Sequence, residues 1–232
     1  MAKKREAARE YRFSDARLQG KAGEVIQLIE RDADEMEDRG VDEARKVRLI
    51  ALRDSFAHFP LDQYYLGHQG IATEEKDSAR ARLITAVRSV FNAAENVFGA
   101  GSTPYKQLGS ANLTKLSDDK LVRNTRNTVK MATKYLDDLG SEGITEAKLT
   151  EIAALNKSFD EAVDEMLTAQ RNRDIATQER IDIGNALYNE IVKICNTGKD
   201  IWYEKSEAKY NDYVLYNTPS GKREAPEEVS PA

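Results

Sequence analysis

The chain has 232 residues, room for one large domain or two small ones, and 40 acidic against 35 basic side chains leave it at a net charge of -5. That balance argues against a general nucleic-acid binder, whose phosphate contacts need a basic excess. With 5 Pro, 13 Gly and 40% hydrophobic residues it is neither collagen-like nor of the Pro/Gly-rich disordered type, and no run approaches the ~18 apolar residues of a membrane span.

The N-terminus, Met1-Ala2-Lys3-Lys4-Arg5-Glu6, is basic without an apolar stretch behind it. It does not read as a signal peptide, so a cytoplasmic protein is expected. Residues 1–13 form a basic extension. Ser14 then offers a helix N-cap, and Leu18, Ala22, Val25, Ile29, Ala33 and Met36 follow at spacings of three and four. This predicts a first helix of about 26 residues, ~39 Å long, stopping at Gly40. A second begins near Asp42 with Leu49, Leu52 and Phe56 on one face, until Pro60 kinks or restarts it. Gly67 and Gly70 suggest a turn before a third helix bearing Leu83, Val87, Val90, Phe91, Val97 and Phe98. Gly99-Ala100-Gly101-Ser102 ends it and begins a linker.

From Ser117 the pattern begins again. A shift of 103 residues lays Ser14-Asp15 and Leu18 over Ser117-Asp118 and Leu121, Gly40 over Gly143, and Ser55-Phe56 over Ser158-Phe159. One added residue makes the shift 104, and Ile71-Ala72-Thr73 then falls on Ile175-Ala176-Thr177, Phe98 on Trp202. A last single-residue step puts Tyr105 on Tyr210. Register held this long marks a tandem duplication, with units at residues 14–113 and 117–217. In the second unit a stop is expected at Gly140 and a new start near Thr145. Arg171-Asn172-Arg173-Asp174 contains no helix breaker, which leaves open one continuous helix in place of the second and third. Only Tyr213-Val214-Leu215-Tyr216 looks extended, and the polar tail 218–232 is expected to be disordered. Amphipathic stripes joined by short loops must bury against one another. The fold class expected is all-α: an antiparallel helical bundle made by tandem duplication of a three-helix unit, the two units sharing one core.

Tyr11-Arg12-Phe13-Ser14-Asp15, Arg39-Gly40-Val41, residues 174–180, Gly198-Lys199-Asp200-Ile201-Trp202 and residues 208–216 together resemble a group of helical, internally duplicated proteins of Bacteroidota-type bacteria. The resemblance implies a bacterial source. It brings no activity and no catalytic residues with it.

No phosphate loop, dinucleotide fingerprint, nucleophile elbow or Glu-x-x-His metal motif occurs. No catalytic, cofactor-binding or metal-ligating residue is therefore assigned, and no cofactor is expected. The lone Cys195 sits in an apolar run and reads as a buried thiol. His58 and His68 lack ligand spacing and read as boundary residues. The acidic run 30–38 reads as a solvated helix face, while the matching helix of the second unit bears the basic stripe Arg123, Arg126, Lys130 and Lys134. The candidate interaction surface comprises that stripe, the acidic Asp34, Glu35, Glu37 and Asp38, and the aromatic segment Phe59, Tyr64, Tyr65 and His68, which the second unit does not match. Trp202, Tyr203, Tyr210, Tyr213 and Tyr216 read as an end cap of the bundle. The expected function is non-catalytic binding or scaffolding through protein–protein contacts, a second copy of the chain being one candidate partner. The alternative is a small-ligand-binding protein or enzyme with its site in the bundle centre, betrayed by a pocket with converging polar groups.

Overall fold

The computed structural model describes residues 8–216, which are helical and contain no strand; the tail from 218 to 232, expected to be disordered, lies outside them. Helix α1 (Asp15–Arg31) starts where Ser14 Oγ accepts the N–H of Arg17 at 3.3 Å. The first helix is shorter than its apolar stripe suggests. The backbone leaves helical geometry at Asp32 (φ -111°, ψ 35°), and a short α2 (Ala33–Glu37) follows. At this break the Asp32 carboxylate turns into the core toward donors from elsewhere in the chain, as described below. Gly40 then reverses the chain at φ 77°, a conformation that favours glycine.

α3 (Glu43–His58) is capped by Asp42, which accepts the N–H of Arg45 at 2.9 Å. Phe59, before Pro60, is extended (φ -65°, ψ 131°), as steric clash with the proline ring requires. α4 (Asp62–Phe98) starts three residues after Phe59 and runs straight through Gly67 and Gly70. The turn expected at those glycines is therefore at 59–61. A glycine costs a helix only about 1 kcal/mol, too little by itself to end one of 37 residues. Gly99 closes α4 at φ 81°, and α5 (Thr103–Gln107) is capped by Ser102.

α6 (Asp118–Lys134) has the same 17-residue length as α1. It too ends at a non-helical residue, Tyr135 (φ -104°, ψ 23°), before a short α7 (Leu136–Leu139). The expected stop at Gly140 moves to Gly143. Gly140 keeps right-handed geometry and opens a 3₁₀ turn, while Gly143 takes φ 75°. α8 (Glu146–Trp202) is one helix of 57 residues, so the second and third helices of the later unit are continuous. α9 (Glu207–Asp212), capped by Ser206, ends before Tyr213, which is buried in irregular backbone rather than extended in a strand.

The chain divides into two compact units, 1–60 with 177–232, and 61–176. In the first, Leu18, Ala22, Val25 and Ile29 of α1 and Leu49 and Phe56 of α3 form a core with Leu187, Ile191, Ile194 and Cys195 of α8. Tyr11, in the segment expected to be a mere extension, is also buried there, its ring close over Gly184. In the second unit, Leu83, Val87, Val90 and Phe91 of α4 pack with Leu121 and Val122 of α6 and Leu149, Ile152 and Phe159 of α8. Each buried aliphatic of this kind contributes roughly 1.5–3 kcal/mol. The first core thus joins α1 and α3 to the late part of α8, and the second joins α4 to α6 and the early part of α8.

Candidate functional site

Arg123, Arg126, Lys130 and Lys134 are all exposed along α6. Arg126 donates to Asp160 of α8 at 2.7 Å, and the Lys134 ammonium lies 5.3 Å from the ring centre of Tyr135. In the other unit Asp34, Glu37 and Asp38 are exposed and Glu35 half-buried. At the start of α4 the structure brings three of the aromatic candidates together: the Tyr64 ring is 5.2 Å from Tyr65 and 4.5 Å from His68. Leu61, Tyr64 and Ile71 there are more than half exposed, at 69, 58 and 57%. Tyr64, His68 and Ile71 are four and three residues apart and so share one helix face. Phe59 is half-buried in the other unit. His58 places Nδ1 2.7 Å from the Asp54 carbonyl oxygen.

One acidic residue does not belong to a solvated face. Asp32 is completely buried. Its Oδ1 accepts from Arg31 Nε at 3.0 Å and Lys209 Nζ at 2.9 Å. Its Oδ2 accepts from Arg31 at 2.7 Å, the Trp202 indole N–H at 3.0 Å and the Tyr213 hydroxyl at 2.8 Å. The Lys209 ammonium also sits 3.7 Å from the centre of the Trp202 ring, a cation–π contact. Burial alone would raise the Asp32 carboxyl, but the hydrogen bonds from Arg31, Lys209 and Tyr213 outweigh it and hold the group well below the usual carboxylate range. Burial, and then the same carboxylate, push the Tyr213 phenol up. Every acceptor position is filled, so this is a structural clasp on the C-terminal segment rather than a site with room for a substrate. Sequence reading missed it because Asp32 stands in an acidic run. The available signal was its counterpart 103 residues later, the aromatic Tyr135, whose ring meets Phe98 at 5.4 Å in the other unit.

A second feature lies in the 61–176 unit. Thr125, Arg126 and Val129 of α6 face Ala153, Asn156, Lys157 and Asp160 of α8 across a groove of about 260 Å³. Thr125 is fully buried and Asn156 is 4% exposed. Neither Thr125 Oγ1 nor Asn156 Oδ1 has a hydrogen-bond partner among the described residues. The groove mouth carries the Arg126–Asp160 pair and Lys157, which lies 3.7 Å from Glu161.

Burial pushes the Cys195 thiol up to about 12, only partly offset by Lys199 and Lys21. Among the described residues no helix is long and apolar enough to cross a membrane. No protein-family model, curated protein or solved structure matches this chain.

Proposed function

We propose that this is a duplicated antiparallel helical bundle that works by binding another protein, a second copy of itself in the first instance, rather than by catalysis. The observation that carries the reading is the exposed face at the start of α4. Leu61, Tyr64 and Ile71 are more than half exposed there, beside His68, in the first part of a helix whose buried residues begin at Ala79. Clustered exposed apolar side chains are characteristic of contact surfaces, and tyrosine is favoured in them.

Two further observations support the architecture. The ion pair of Lys76 with Asp118 (3.5 Å) has a counterpart in Arg180 with Asp15 (3.8 Å), at shifts of 104 and 103 residues. The helix breaks at Asp32 and Tyr135, and the reversing glycines at 40 and 143, stand at the same spacing. Duplication accounts for both. The basic face of α6 and the acidic residues of α2 supply unlike charge for a head-to-tail contact between copies.

Light scattering on a size-exclusion column at low and high salt tests the reading. A mass above the 26.1 kDa monomer is expected. It should fall in the paired variant Tyr64→Ser, Ile71→Ser if the apolar face makes the contact. It should fall with salt, and on charge reversal of Arg123, Arg126, Lys130 and Lys134, if the charged faces contribute. A monomer at both salts, unchanged by these substitutions, removes self-association.

A further inference from the structure

We propose that the notch between Gly184 of α8 and Phe56 of α3, with Asn185 and Asn189 beside it, is a docking groove for an extended, tyrosine-bearing segment, and that two copies of the chain join by exchanging residues 8–11 between their grooves. The proposal rests on the reading of self-association in its choice of partner but not on the α4 face, and the experiment below separates the two.

Within one copy the guest is seated in its groove. Asn185 meets the backbone on either side of Arg9: its Oδ1 accepts the N–H of Glu10 at 2.9 Å, and its Nδ2 donates to the Ala8 carbonyl at 2.9 Å. A side-chain amide used in this way stands in for the edge of a strand and grips an extended backbone whatever its sequence. Asn189 Nδ2 donates to the Glu10 carboxylate at 2.7 Å. Tyr11 then turns in and is 3% exposed, so close over Gly184 that a Cβ there would lie 2.5 Å from the phenol oxygen. Bonds to the main chain hold the segment, and the notch selects its side chain.

The groove is peculiar to one unit. The residue 104 positions before Gly184 is Arg80, whose guanidinium lies 6.0 Å from the ring centre of Phe159, the residue 103 positions after Phe56. In place of Asn185 and Asn189 stand Ala81 and Thr85, and the Thr85 hydroxyl donates to the Ala81 carbonyl of its own helix at 3.0 Å. The 61–176 unit thus covers its phenylalanine from within a helix, while the other unit covers Phe56 with a separate segment. Nothing in the bonds to Asn185 and Asn189, or in the seat over Gly184, requires guest and groove to share a chain, and every copy carries the same guest. Exchange keeps those contacts and costs only association. Arg12, Phe13 and Ser14 alone link Tyr11 to the start of α1 at Asp15, so the segment reaches at most about 14 Å from it. The partner must present its groove close to that point, and each copy then serves the other in a closed dimer.

The test is light scattering of the full chain in the Tyr64→Ser, Ile71→Ser background, which disables the α4 face. With Tyr11 and Gly184 intact, a dimer fraction should rise with protein concentration. Tyr11→Ala keeps the groove and removes the guest. Gly184→Arg copies the other unit, covers Phe56 and evicts the guest without altering it. Each variant alone should stay at 26.1 kDa, and an equimolar mixture should reach twice that mass, because the tethered segment no longer competes within either copy. A fluorescein-labelled peptide of residues 8–13 should bind Tyr11→Ala saturably by anisotropy and split the mixed pair. Adding Asn185→Ala should weaken the peptide roughly tenfold or more. Gly184→Ala, whose methyl still meets Tyr11, serves if circular dichroism shows Gly184→Arg to be unfolded. A strict monomer with Tyr11 and Gly184 intact, or a mixture that stays monomeric, overturns the proposal. So does a peptide that fails to bind, or one that binds Tyr11→Ala equally well with and without Gly184→Arg. A mixed dimer that persists in excess peptide overturns it too, since another surface then makes the contact.

Discussion

The indole N–H of Trp202 donates to Oδ2 of Asp32 at 3.0 Å, tying the last residue of α8 to the break that follows α1. The same oxygen receives the Tyr213 hydroxyl, which also reaches the Leu28 carbonyl at 3.2 Å. One carboxylate therefore gathers the N-terminal helix, the end of the long helix and the segment after α9. Asp32→Ala should cost about 3–5 kcal/mol, because Arg31 and Lys209 lose the charge that compensates them and a buried gap is left. Tyr213→Phe removes one hydroxyl and should cost about 1–3 kcal/mol. Urea denaturation followed by circular dichroism checks both. A loss under 1 kcal/mol for Asp32→Ala would show that the clasp is not holding this unit together.

Acid should expose the same group through linkage. The Asp32 carboxyl is held well below its ordinary value. As pH falls below about 4, the unfolded chain takes up a proton there and the folded chain does not, so stability present above that pH is progressively lost. Asp32→Asn should be less stable at neutral pH and less sensitive to acid. The gap between wild type and variant should narrow from pH 5 to pH 2 in matched denaturation curves. A constant gap would mean that the native carboxylate gains nothing from its ionised partners.

Gly198 and Tyr213 should behave as a matched pair. A Cβ at Gly198 would overlap the Tyr213 ring. In the other unit the positions 104 and 105 earlier hold Ala94 and Leu108, both fully buried. Gly198→Ala should then destabilise by about 1–3 kcal/mol through overpacking. Combined with Tyr213→Leu it should cost less than the two single changes added together, because the smaller side chain makes room for the methyl. Strict additivity in the double-mutant cycle would deny the contact. The double variant should still fall short of wild type, since Asp32 loses a donor.

What could be read beforehand follows from how far each feature depends on its neighbours. Local rules served well where the cause is local: Ser14 and Asp42 cap their helices, Pro60 ends α3, and Gly40 and Gly99 take positive φ. The rules misled at Gly67 and Gly70, because an isolated glycine costs a helix only about 1 kcal/mol and does not by itself end one of 37 residues. They were silent about Asp32, whose burial is decided by Trp202 and by Lys209 and Tyr213 beyond it. They were equally silent about Thr125 and Asn156, since a stripe of residues shows which face turns inward but not whether the opposite helix brings a hydrogen-bond partner. The pairing of α1 and α3 with the late part of α8 had no local signature at all. The basic stripe on α6 was legible and is exposed, because spacing alone sets a helix face.

Alkali should act on the buried tyrosines of the first unit. Burial, with the negative Asp15 beside one and the Tyr216 hydroxyl beside the other, pushes Tyr11 and Tyr188 up to about 12. A group whose folded value is raised lends stability that is present below its unfolded value, about 10, and is lost as pH climbs toward 12. Absorbance titration should show three phenols ionising late, Tyr213 being the third, and Tyr188→Phe should remove one of them. Ionisation of every tyrosine near pH 10 in the folded chain would contradict this.

Cys195 offers a direct gauge of opening in the same unit. Its side chain is 1% exposed and its thiol is pushed up to about 12 by burial. Only the thiolate attacks a disulfide reagent, and at pH 8 it is roughly one part in 10⁴ of such a thiol. Reaction with an aromatic disulfide should therefore be slower in the folded chain than in urea by about 10³-fold or more, proceeding through transient opening of the unit. Asp32→Ala should speed it markedly, because the clasp and Cys195 belong to one core. Rapid labelling of the folded wild-type chain would show that α8 leaves its thiol open to solvent. An unchanged rate in Asp32→Ala would separate the clasp from the packing around Cys195.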